Sequence, residues 1–508
     1  MEYTDLKKRL DGHLAGFMAA LLLMQPLLDV ASYFMQGAGA TLATTLLRCL
    51  LLVVVSGYGF LLSDRKQLYA ALLAVLGGSW LLHVLNCVRV GYADPVGDAA
   101  EYLKLVQFPL WTVSFVTFYR RREELLGRTA GLLAANFVTV LAVIGLSFAT
   151  GHPGYTYNMP GRGVQMGLLG WFAVPNAQSA IVCMLAAGLL LWAFRTENLA
   201  GFSGACLLGF GLLYFTGTRL TYYSALLLAV AFIVLILISR QHYRYCFPLL
   251  AALALLVVFH SSSVMAQRTT LSSDSWATYQ EKADQVLGEG WDFAYREGEE
   301  IPPEKLGKIR QVYTEVYGQP EGVFGGALLG DLYDRFGVDR VMAYFDYSTK
   351  PSDLYDMRSK RRAVLGLLWE EKDALTKLLG FEYGESWING QPYDLENDFP
   401  ALPYYYGYLG TALYLLFAAY FLLAALQGFV QGRRDLPGFL TMELGAYGLV
   451  YCLALAAAQF SGNVLRKPNV VVYLSLAAAQ LFCRLHPVRE VRLFDKYRRK
   501  PTTTIKAL

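Results

Sequence analysis

Residues 394–410, DLENDFPALPYYYGYLG, mark the point at which a long polar segment returns to apolar sequence. The polar segment runs from His260 to Tyr406, and it is the longest polar stretch of the chain. Apolar stretches lie on both sides of it. This pattern is typical of a membrane protein that carries one folded domain on one face of the bilayer.

The composition agrees with a membrane location. Of the 508 residues, 55% are hydrophobic and 17% are charged, which indicates a polytopic membrane protein. The net charge of +4 gives no reason to expect a nucleic-acid partner. All seven cysteines lie in or beside apolar stretches, so the polar segment offers no disulfide framework, cysteine metal site or thiol nucleophile.

Apolar windows of about 20 residues, the length that crosses a bilayer, occur about twelve times. They lie near residues 14–36, 38–62, 68–90, 100–119, 129–149, 166–194, 200–216, 219–239, 246–262, 403–427, 438–460 and 468–484. The sequence therefore predicts an all-α polytopic membrane protein with about twelve transmembrane helices. The first window follows three basic residues and is too long for a cleaved signal peptide, so we expect a retained signal anchor.

Basic residues concentrate in alternate connections, at residues 63–66, 119–122, 194–195, 239–244 and 432–434 and in the tail after residue 484. Because positive connections stay in the cytoplasm, we expect both termini inside and the long loop outside. The predicted regions are transmembrane helices 1–9 (residues 1–262), an extracytoplasmic loop domain (263–402), helices 10–12 (403–484) and a basic cytoplasmic tail (485–508).

The long loop is expected to be helical. Residues 275–287, 302–317, 331–345 and 352–380 all have helical spacing. The loop divides the predicted spans unequally, nine before it and three after it. This asymmetry argues against a secondary transporter built from two similar halves.

Several charged residues lie in or next to apolar stretches, where they are costly unless they face protein or water. In the predicted orientation all of them lie in the outer half of the membrane or at its outer surface. They are Asp29, Arg48, Glu101, Lys104, Arg162, Arg219, Arg466 and Lys467.

Two interpretations are open for these charges. Glu101 and Lys104, three residues apart on one helix face, either form a structural pair or serve a ligand. The same alternatives apply to Asp29 and Arg48, and Arg219 either anchors a helix end or binds an anion. Their concentration on one side favours a phosphate-bearing ligand, because arginine keeps its charge when partly desolvated. Without a nucleotide-binding glycine loop, this indicates a lipid-linked pyrophosphate.

A metal site is not expected. Asp394, Glu396 and Asp398 alternate in a pattern that suits a divalent cation, but short acidic runs are also common in solvated loops. The sequence has no zinc-binding HExxH motif. We therefore predict neither a metal nor a cofactor.

Several short motifs carry a family resemblance when they are taken in order along the chain. They are GWFAVPN (170–176), TGTR (216–219), Arg358 ahead of LGF (379–381), and END (396–398) followed by YGYLG (406–410). With a dozen spans and one large loop before the last three, this order resembles the O-antigen ligase and O-antigen polymerase superfamily of bacterial envelope enzymes, in the form found in Gram-positive bacteria.

The resemblance implies a GT-C-like helical fold and a metal-independent glycosyltransferase in the bacterial cytoplasmic membrane. It would transfer a saccharide from undecaprenyl pyrophosphate to an acceptor hydroxyl on the outer face, in capsule or related envelope polysaccharide synthesis. In a polymerase the acceptor is another lipid-linked oligosaccharide, and in a ligase it is a different glycan, lipid or polymer. The alternatives are a transporter or flippase of the same lipid-linked saccharides and a non-enzymatic scaffold.

The chain departs from the family at the presumed base. Many ligases have His-Asn where this chain has Glu396-Asn397, and no histidine occurs between His260 and His486. A carboxylate would then accept the proton of the acceptor hydroxyl. Asp398 is the first candidate and Glu396 the second, because both lie where the loop meets the membrane surface; an ordinary helix lead-in has the same composition.

The remaining candidate site residues are those expected to contact the substrate. Arg162, Arg219 and Arg358 are expected to bind the pyrophosphate, with Arg361 and Arg362 as substitutes on one helix face. A solvated basic face is the alternative for that helix. Further substrate-contact candidates are Asn176, Asn397, Tyr406 and Arg48, and the tyrosines around Tyr406 form either an interfacial belt or a sugar-stacking platform.

Overall fold

The computed structural model describes residues 3–37, 41–159, 163–318 and 329–487. Helices dominate the first half of the chain. They are α1 (Tyr3–Gly37), α2 (Thr41–Leu62), α3 (Lys66–Val90), α4 (Pro95–Arg121), α5 (Glu124–Ala149), α6 (Pro175–Arg195), α7 (Leu199–Thr216), α8 (Arg219–Ser239) and α9 (Cys246–Val258). Between α5 and α6, strands β1 (Tyr155–Met159) and β2 (Val164–Leu168) form an antiparallel hairpin.

Short helices fill the segment between α9 and α17, which we call the loop segment. They are α10 (Val264–Leu287), α11 (Pro303–Gln311), α12 (Gly330–Phe336), α13 (Val338–Tyr344), α14 (Pro351–Leu354), α15 (Met357–Glu370) and α16 (Ala374–Leu379). A wider helical turn, Val312–Val316, continues α11, and strands β3 (Trp387–Ile388) and β4 (Gln391–Pro392) pair before α17. The expected helical character of the loop is confirmed, although the predicted stretch 352–380 is divided into separate helices.

Four helices complete the described chain. They are α17 (Asp398–Gly432), α18 (Leu436–Phe439), α19 (Met442–Phe460) and α20 (Pro468–Leu485). Among the described residues, 10 helices are long and apolar enough to cross a membrane. They correspond to ten of the predicted spans, so the all-α polytopic fold is confirmed. The other two predicted spans fall on α4, which carries several charges, and on α9, which is short.

One predicted span begins too early. The window 166–194 was expected to be a single transmembrane helix, but α6 starts only at Pro175. Residues 164–168 form β2 instead, and Gly167 (φ 83°) and Gly170 (φ 68°) adopt left-handed backbone conformations that interrupt a helix. Proline suits the first turn of α6 because it has no N–H to leave unpaired there.

The most buried helices form the centre of the bundle. Almost every side chain of α6 is buried, and α20 packs against α4, α6, α17 and α19. In contrast, α3 and α17 expose most of their apolar side chains. Exposed leucine and valine side chains on a membrane helix are solvated by lipid, so α3 and α17 lie at the bundle periphery.

The end of the loop segment binds to the α3–α4 corner. Nδ1 of His83 lies 2.8 Å from the carbonyl oxygen of Leu379. The carboxylate of Glu382 accepts the backbone N–H groups of Ala93 at 3.0 Å and Asp94 at 2.8 Å. These bonds give the buried Glu382 carboxylate backbone partners at the α3–α4 connection.

Ion pairs mark the opposite face of the bundle. Asp64, between α2 and α3, accepts Lys7 at 2.8 Å and Arg121 at 2.5 Å. Nε of Arg195, at the end of α6, lies 3.1 Å from Glu443 at the start of α19. Successive helices alternate in direction, so the starts of α6, α8, α17 and α20 lie at the face that carries the loop segment.

Helix α17 bends sharply at Gly407. Its backbone there has φ 64° and ψ −179°, a conformation open in practice only to glycine. The bend lets the end of α16 approach: a Cβ on Gly407 would lie 2.2 Å from the carbonyl oxygen of Leu378 and 2.4 Å from the nitrogen of Gly380. Both the backbone angles and this contact therefore require glycine.

Gly407→Ala should destabilise the protein by about 2 kcal/mol or more, because it adds backbone strain and a clash with backbone atoms. Thermal unfolding in detergent measures the effect as a lower Tm. Gly145→Ala is the matched control, since a Cβ at Gly145 in α5 meets nothing within 4 Å. Equal Tm values for the two variants would contradict the described contact between α16 and α17.

Candidate functional site

The carboxylate of Glu396 binds side chains from two other parts of the chain. Nη1 of Arg361 donates to Oε1 at 2.9 Å, and Nδ2 of Asn176 donates to Oε2 at 3.2 Å. Nε of Arg358 lies 3.5 Å from Oε2. We call these four residues the Glu396 cluster. The Glu396 side chain is 30% exposed, so the cluster is open to solvent.

Local structure positions each member of this cluster. Asn176 follows Pro175 in the first turn of α6. The side chain of Asp356 caps α15 by accepting the N–H of Arg358 at 3.2 Å. Arg358 and Arg361 are three residues apart and therefore share one face of α15, as the sequence predicts. Arg362, also placed on that face by the sequence, is exposed, and the structure gives it no bond to Glu396.

Arg358 has a structural task as well. Nη1 and Nη2 donate to the carbonyl oxygens of Phe460 and Ser461, both at 3.1 Å. These carbonyls are at the end of α19, where helix carbonyls have no partner within the helix. Arg358 thus ties α15 to α19, and only part of its donor capacity is free for a ligand.

A second group of arginines surrounds Tyr157 on β1. The guanidinium of Arg268, in the first turns of α10, lies 4.9 Å from the centre of the Tyr157 ring. Burial raises the pKa of Tyr157, and the positive charges of Arg268, Arg219 and Arg358 oppose that rise. We call Arg219, Arg268 and Arg358 the Tyr157 arginines. They bring three positive charges to one edge of the bundle.

Among these three arginines, Arg219 has the fewest contacts with other described side chains. It is the first residue of α8, and its side chain is exposed. Within the described parts of the chain it has no hydrogen bond or ion pair. Thr218 caps the helix by accepting the N–H of Thr221 at 3.1 Å, and Gly217 adopts a left-handed conformation just before it. The sequence TGTR thus places at a helix start a guanidinium that has no bonding partner among the described residues.

Helix starts add to the positive potential here. Helices α6, α8 and α15 begin with Asn176, Arg219 and Arg358 in their first turns, and α10 begins just ahead of Arg268. The starts of α8 and α10 are in contact, since a Cβ on Gly217 would lie 2.3 Å from Cβ of Val264. Because the N–H groups at helix starts are partly unpaired, they favour an anion.

A buried ion network lies beside the Glu396 cluster. Arg466, between α19 and α20, is 5% exposed, and its Nη1 donates to Asp394 at 2.7 Å. Its Nε lies 3.4 Å from Asp398, and its Nη1 lies 3.8 Å from Glu101. It also donates to the carbonyl of Leu395. Burial alone would lower the pKa of Arg466, but the charges of Asp394, Asp398 and Glu101 raise it well above its usual value.

Asp398, the first candidate for a base, is fully buried in this network. Its Oδ2 accepts the N–H of Val464 at 2.7 Å, and its Oδ1 accepts the N–H of Arg466 at 3.3 Å. An acceptor hydroxyl cannot approach an enclosed carboxylate whose oxygens are already bonded. Asp398 therefore lies where it can hold the segment that leads into α17. Of the two carboxylates, Glu396 is the more exposed.

The acidic run from Asp394 to Asp398 does not converge on one point. Asp394 and Asp398 turn to Arg466, whereas Glu396 turns to α6 and α15. Among the described residues, a buried group of three metal-ligand types lies elsewhere, at His83, Cys87 and Asp98. Nε2 of His83 lies 2.9 Å from Asp98 and its Nδ1 faces a carbonyl, so both ring nitrogens already have protein partners.

The other predicted contact residues are engaged in structural bonds. Nδ2 of Asn397 donates to the carbonyl of Gln459 at 2.6 Å, and the hydroxyl of Tyr406 donates to the carbonyl of Glu101 at 3.1 Å. Arg48 binds Asp29 at 2.5 Å.

Both pairs that the sequence offered as one alternative for these charges are present. The pair of Arg48 with Asp29 is formed, as is the pair of Lys104 with Glu101. Arg162 lies outside the described residues.

Sequence reasoning missed Arg268 and did not assign a partner to Arg466. Arg268 lies eight residues after His260, near the membrane-proximal start of the polar segment, and that position was the only available signal. The carboxylates that surround Arg466 come from α4, from the lead-in of α17 and from its first turn. Such distant partners leave no local pattern in the sequence.

Comparison with known proteins finds one family. A family model described as "O-antigen ligase like membrane protein" matches residues 345–487. The matched region contains Glu396, both cluster arginines of α15 and Arg466. No curated protein matches the chain.

Arg466→Ala should lower the free energy of unfolding by about 3–5 kcal/mol, because it leaves buried carboxylates without their countercharge. Thermal unfolding in detergent measures the change. Arg310→Ala is the matched control: Arg310 pairs with Asp339 at the surface, where side-chain exposures of 52% and 70% limit the contribution to less than about 1 kcal/mol. A wild-type Tm for Arg466→Ala would show that the network does not support the fold.

Proposed function

We propose that this chain is a glycosyltransferase of glycan assembly, since a family model for O-antigen ligase-like membrane proteins matches its residues 345–487. It transfers an oligosaccharide from undecaprenyl pyrophosphate to an acceptor hydroxyl, without a metal and on the outer face of the bacterial cytoplasmic membrane. The observation that carries this proposal is the exposed Arg219, which has no hydrogen bond or ion pair within the described ranges, near Arg268 at the starts of α8 and α10.

The Tyr157 arginines suit a pyrophosphate group. Arginine offers a planar fork of donors that matches two phosphate oxygens, and it stays charged in a partly buried site. Arg219 has its whole fork available, and Arg268 is half-buried over Tyr157. The starts of α6, α8 and α15 add backbone N–H groups, whose partial positive charge also attracts phosphate. A membrane-edge location lets the polyprenyl chain remain in lipid while its phosphates reach these residues.

These charges also suit the chemistry of transfer. When the acceptor oxygen attacks the anomeric carbon, the bond from that carbon to the pyrophosphate oxygen breaks. The leaving group then gains negative charge. Preorganised positive groups stabilise such charge more in the transition state than in the bound substrate, and this difference accelerates the reaction.

Glu396 is the better candidate for the base that accepts the acceptor's proton. Its side chain is 30% exposed, whereas Asp398 is fully buried. Arg358, Arg361 and Asn176 hold its carboxylate in one position. Pyrophosphate bound at Arg358 would draw this guanidinium from Glu396 and leave the carboxylate freer to take a proton. Asp398 then serves as a positioning residue through Arg466.

The distribution of basic residues supports an outer location for the site. The face opposite the loop segment carries Arg121, Arg195, Arg240 and Arg244 at helix ends. By the positive-inside rule that face is cytoplasmic, with the N-terminus and the end of α20 beside it. The loop segment, proposed as an extracytoplasmic domain over residues 263–402, then meets flipped lipid-linked substrates. A second lipid-linked oligosaccharide makes the enzyme a polymerase, and a different acceptor makes it a ligase.

Purified protein in nanodiscs, supplied with undecaprenyl-pyrophosphate-linked oligosaccharide and EDTA, should release undecaprenyl pyrophosphate and form longer glycans. Arg219→Ala should lower kcat about 100-fold or more, because it removes one donor from the developing charge. Mass spectrometry of glycans and lipid measures both products. Release that requires a second, different acceptor would identify a ligase.

The control for this assay is Arg128→Ala. Arg128 is 61% exposed on α5 near the opposite face, so its removal should leave the rate unchanged. If the wild type forms no product but carries the lipid-linked saccharide across a liposome bilayer, the protein is a transporter and the proposed reaction is wrong.

Glu396→Gln should lower kcat at least about 100-fold while KM for the lipid-linked donor stays constant or falls. The amide cannot accept the proton, and it releases Arg358 and Arg361 to the phosphates. Steady-state kinetics on wild type and variant separate the two constants. A kcat within about 3-fold of wild type would exclude Glu396 as the base.

A further inference from the structure

A cleft of about 750 Å³ lies in the loop segment. The second half of α10 forms one wall, and the irregular stretch 291–295 and the turn 346–352 form the others. Its aromatic lining residues are Trp276, Trp291, Phe293, Tyr295 and Tyr347. None of them belongs to the Glu396 cluster or the Tyr157 arginines, so the proposed transfer site does not account for this cleft.

The aromatic rings are accessible and ordered by their neighbours. The Trp276 side chain is 39% exposed, which is unusual for so large an apolar group in a water-facing segment. Tyr295 and Tyr347 are in ring contact, with centroids 5.0 Å apart, and so are Trp291 and Phe293 at 6.0 Å. Rings fixed in this way offer flat apolar faces to a ligand at little entropic cost.

Acidic groups outnumber basic ones in the lining of the cleft. The lining includes three aspartates, Asp284, Asp292 and Asp346, and one lysine, Lys350. Nε2 of Gln280 donates to Asp284 at 2.8 Å, which orients both groups. Carboxylates accept hydrogen bonds from hydroxyl groups, and their negative charge repels anions. With three carboxylates against one lysine in its lining, the cleft favours a ligand that is rich in hydroxyl groups and carries no negative charge.

The backbone beside the cleft is held in an uncommon conformation. Asp346 (φ 51°) and Tyr347 (φ 55°) are both left-handed, a conformation that aspartate tolerates and that is costly for tyrosine. The N–H of Asp346 donates to Ala343 at 3.0 Å, and the hydroxyl of Tyr313 donates to the carbonyl of Ser348 at 2.8 Å. Strain of this kind, supported by buried groups, is typical of segments that present side chains to a ligand.

We propose that this cleft binds a segment of an uncharged oligosaccharide. Sugar rings have apolar C–H faces that stack on aromatic rings and equatorial hydroxyls that donate to carboxylates, and the cleft supplies both partners. Its volume is in the range of small-molecule sites. The class of ligand follows from the cleft alone. The identification of this ligand with the glycan assembled at the membrane rests on the proposed function.

The location of the cleft suits a role in specificity. The family match starts at residue 345, so α10 and residues 291–295 lie outside it. The Glu396 cluster arginines lie within it. The proposed base Glu396 lies within the matched region, whereas Arg219, Arg268 and most of the cleft lie outside it. A cleft separate from the base would let one chemistry serve glycans of different structure.

Binding of hexasaccharides to the full chain in nanodiscs tests this proposal. The probes are chitohexaose, maltohexaose and mannohexaose as uncharged glycans and hexagalacturonate as an anionic one. The wild type should bind at least one uncharged probe and bind hexagalacturonate at least about ten-fold more weakly. Trp276→Ala should weaken the binding about ten-fold. Asp346→Asn, which keeps a residue that tolerates the left-handed backbone, should weaken it several-fold.

The matched control is Trp387→Ala. Trp387 is 47% exposed in the same segment but outside the cleft, so its removal should leave binding unchanged. The proposal is overturned if no uncharged probe binds, if hexagalacturonate binds more tightly, or if Trp276→Ala and Asp346→Asn both bind like wild type. Because no lipid-linked donor is present, failure of glycosyl transfer would not alter these results.

Discussion

The buried guanidinium of Arg466 is the interaction on which the arrangement of this protein depends. It compensates carboxylates from α4, from the lead-in of α17 and from its first turn, and a charge left alone in such a place is very costly. Glu396 lies between two residues that Arg466 holds, and its carbonyl accepts the N–H of Asn463 at 3.0 Å. The position of the exposed carboxylate is thus determined by the buried network next to it.

The arginines near the loop segment divide into structural and available groups. Arg466 is buried, and Arg358 donates two hydrogen bonds to carbonyl oxygens at the end of α19. Both arginines therefore hold structural elements together. Arg219 has no hydrogen bond or ion pair with another described residue, and Arg268 lies half-buried over the ring of Tyr157. A ligand with two phosphates would therefore find its strongest new bonds at Arg219 and Arg268, with Arg358 and Arg361 linking it to Glu396.

Sequence reasoning succeeded where the property is local. Hydropathy identifies the membrane helices because each span alone must be apolar, and the spacing of Glu101 and Lys104 offered their pair as one of two alternatives. The sequence-based predictions failed where a structure depends on contacts between segments that are distant in the sequence. The start of α6 depends on a hairpin that packs against the end of α7. The acidic run at residues 394–398 divides between Arg466 on one side and partners on α6 and α15 on the other. Arg268 and the aromatic cleft need the folded loop segment to be recognised.

In the proposed function, the pyrophosphate of a lipid-linked donor binds at the starts of α8 and α10. The most direct test is an electron cryomicroscopy structure of the protein in nanodiscs with an undecaprenyl-pyrophosphate-linked oligosaccharide. This account predicts phosphate oxygens within hydrogen-bond distance of Arg219 and Arg268, with the first sugar facing Glu396. Phosphates bound at Arg48 or Lys467, with Arg219 left in solvent, would contradict it.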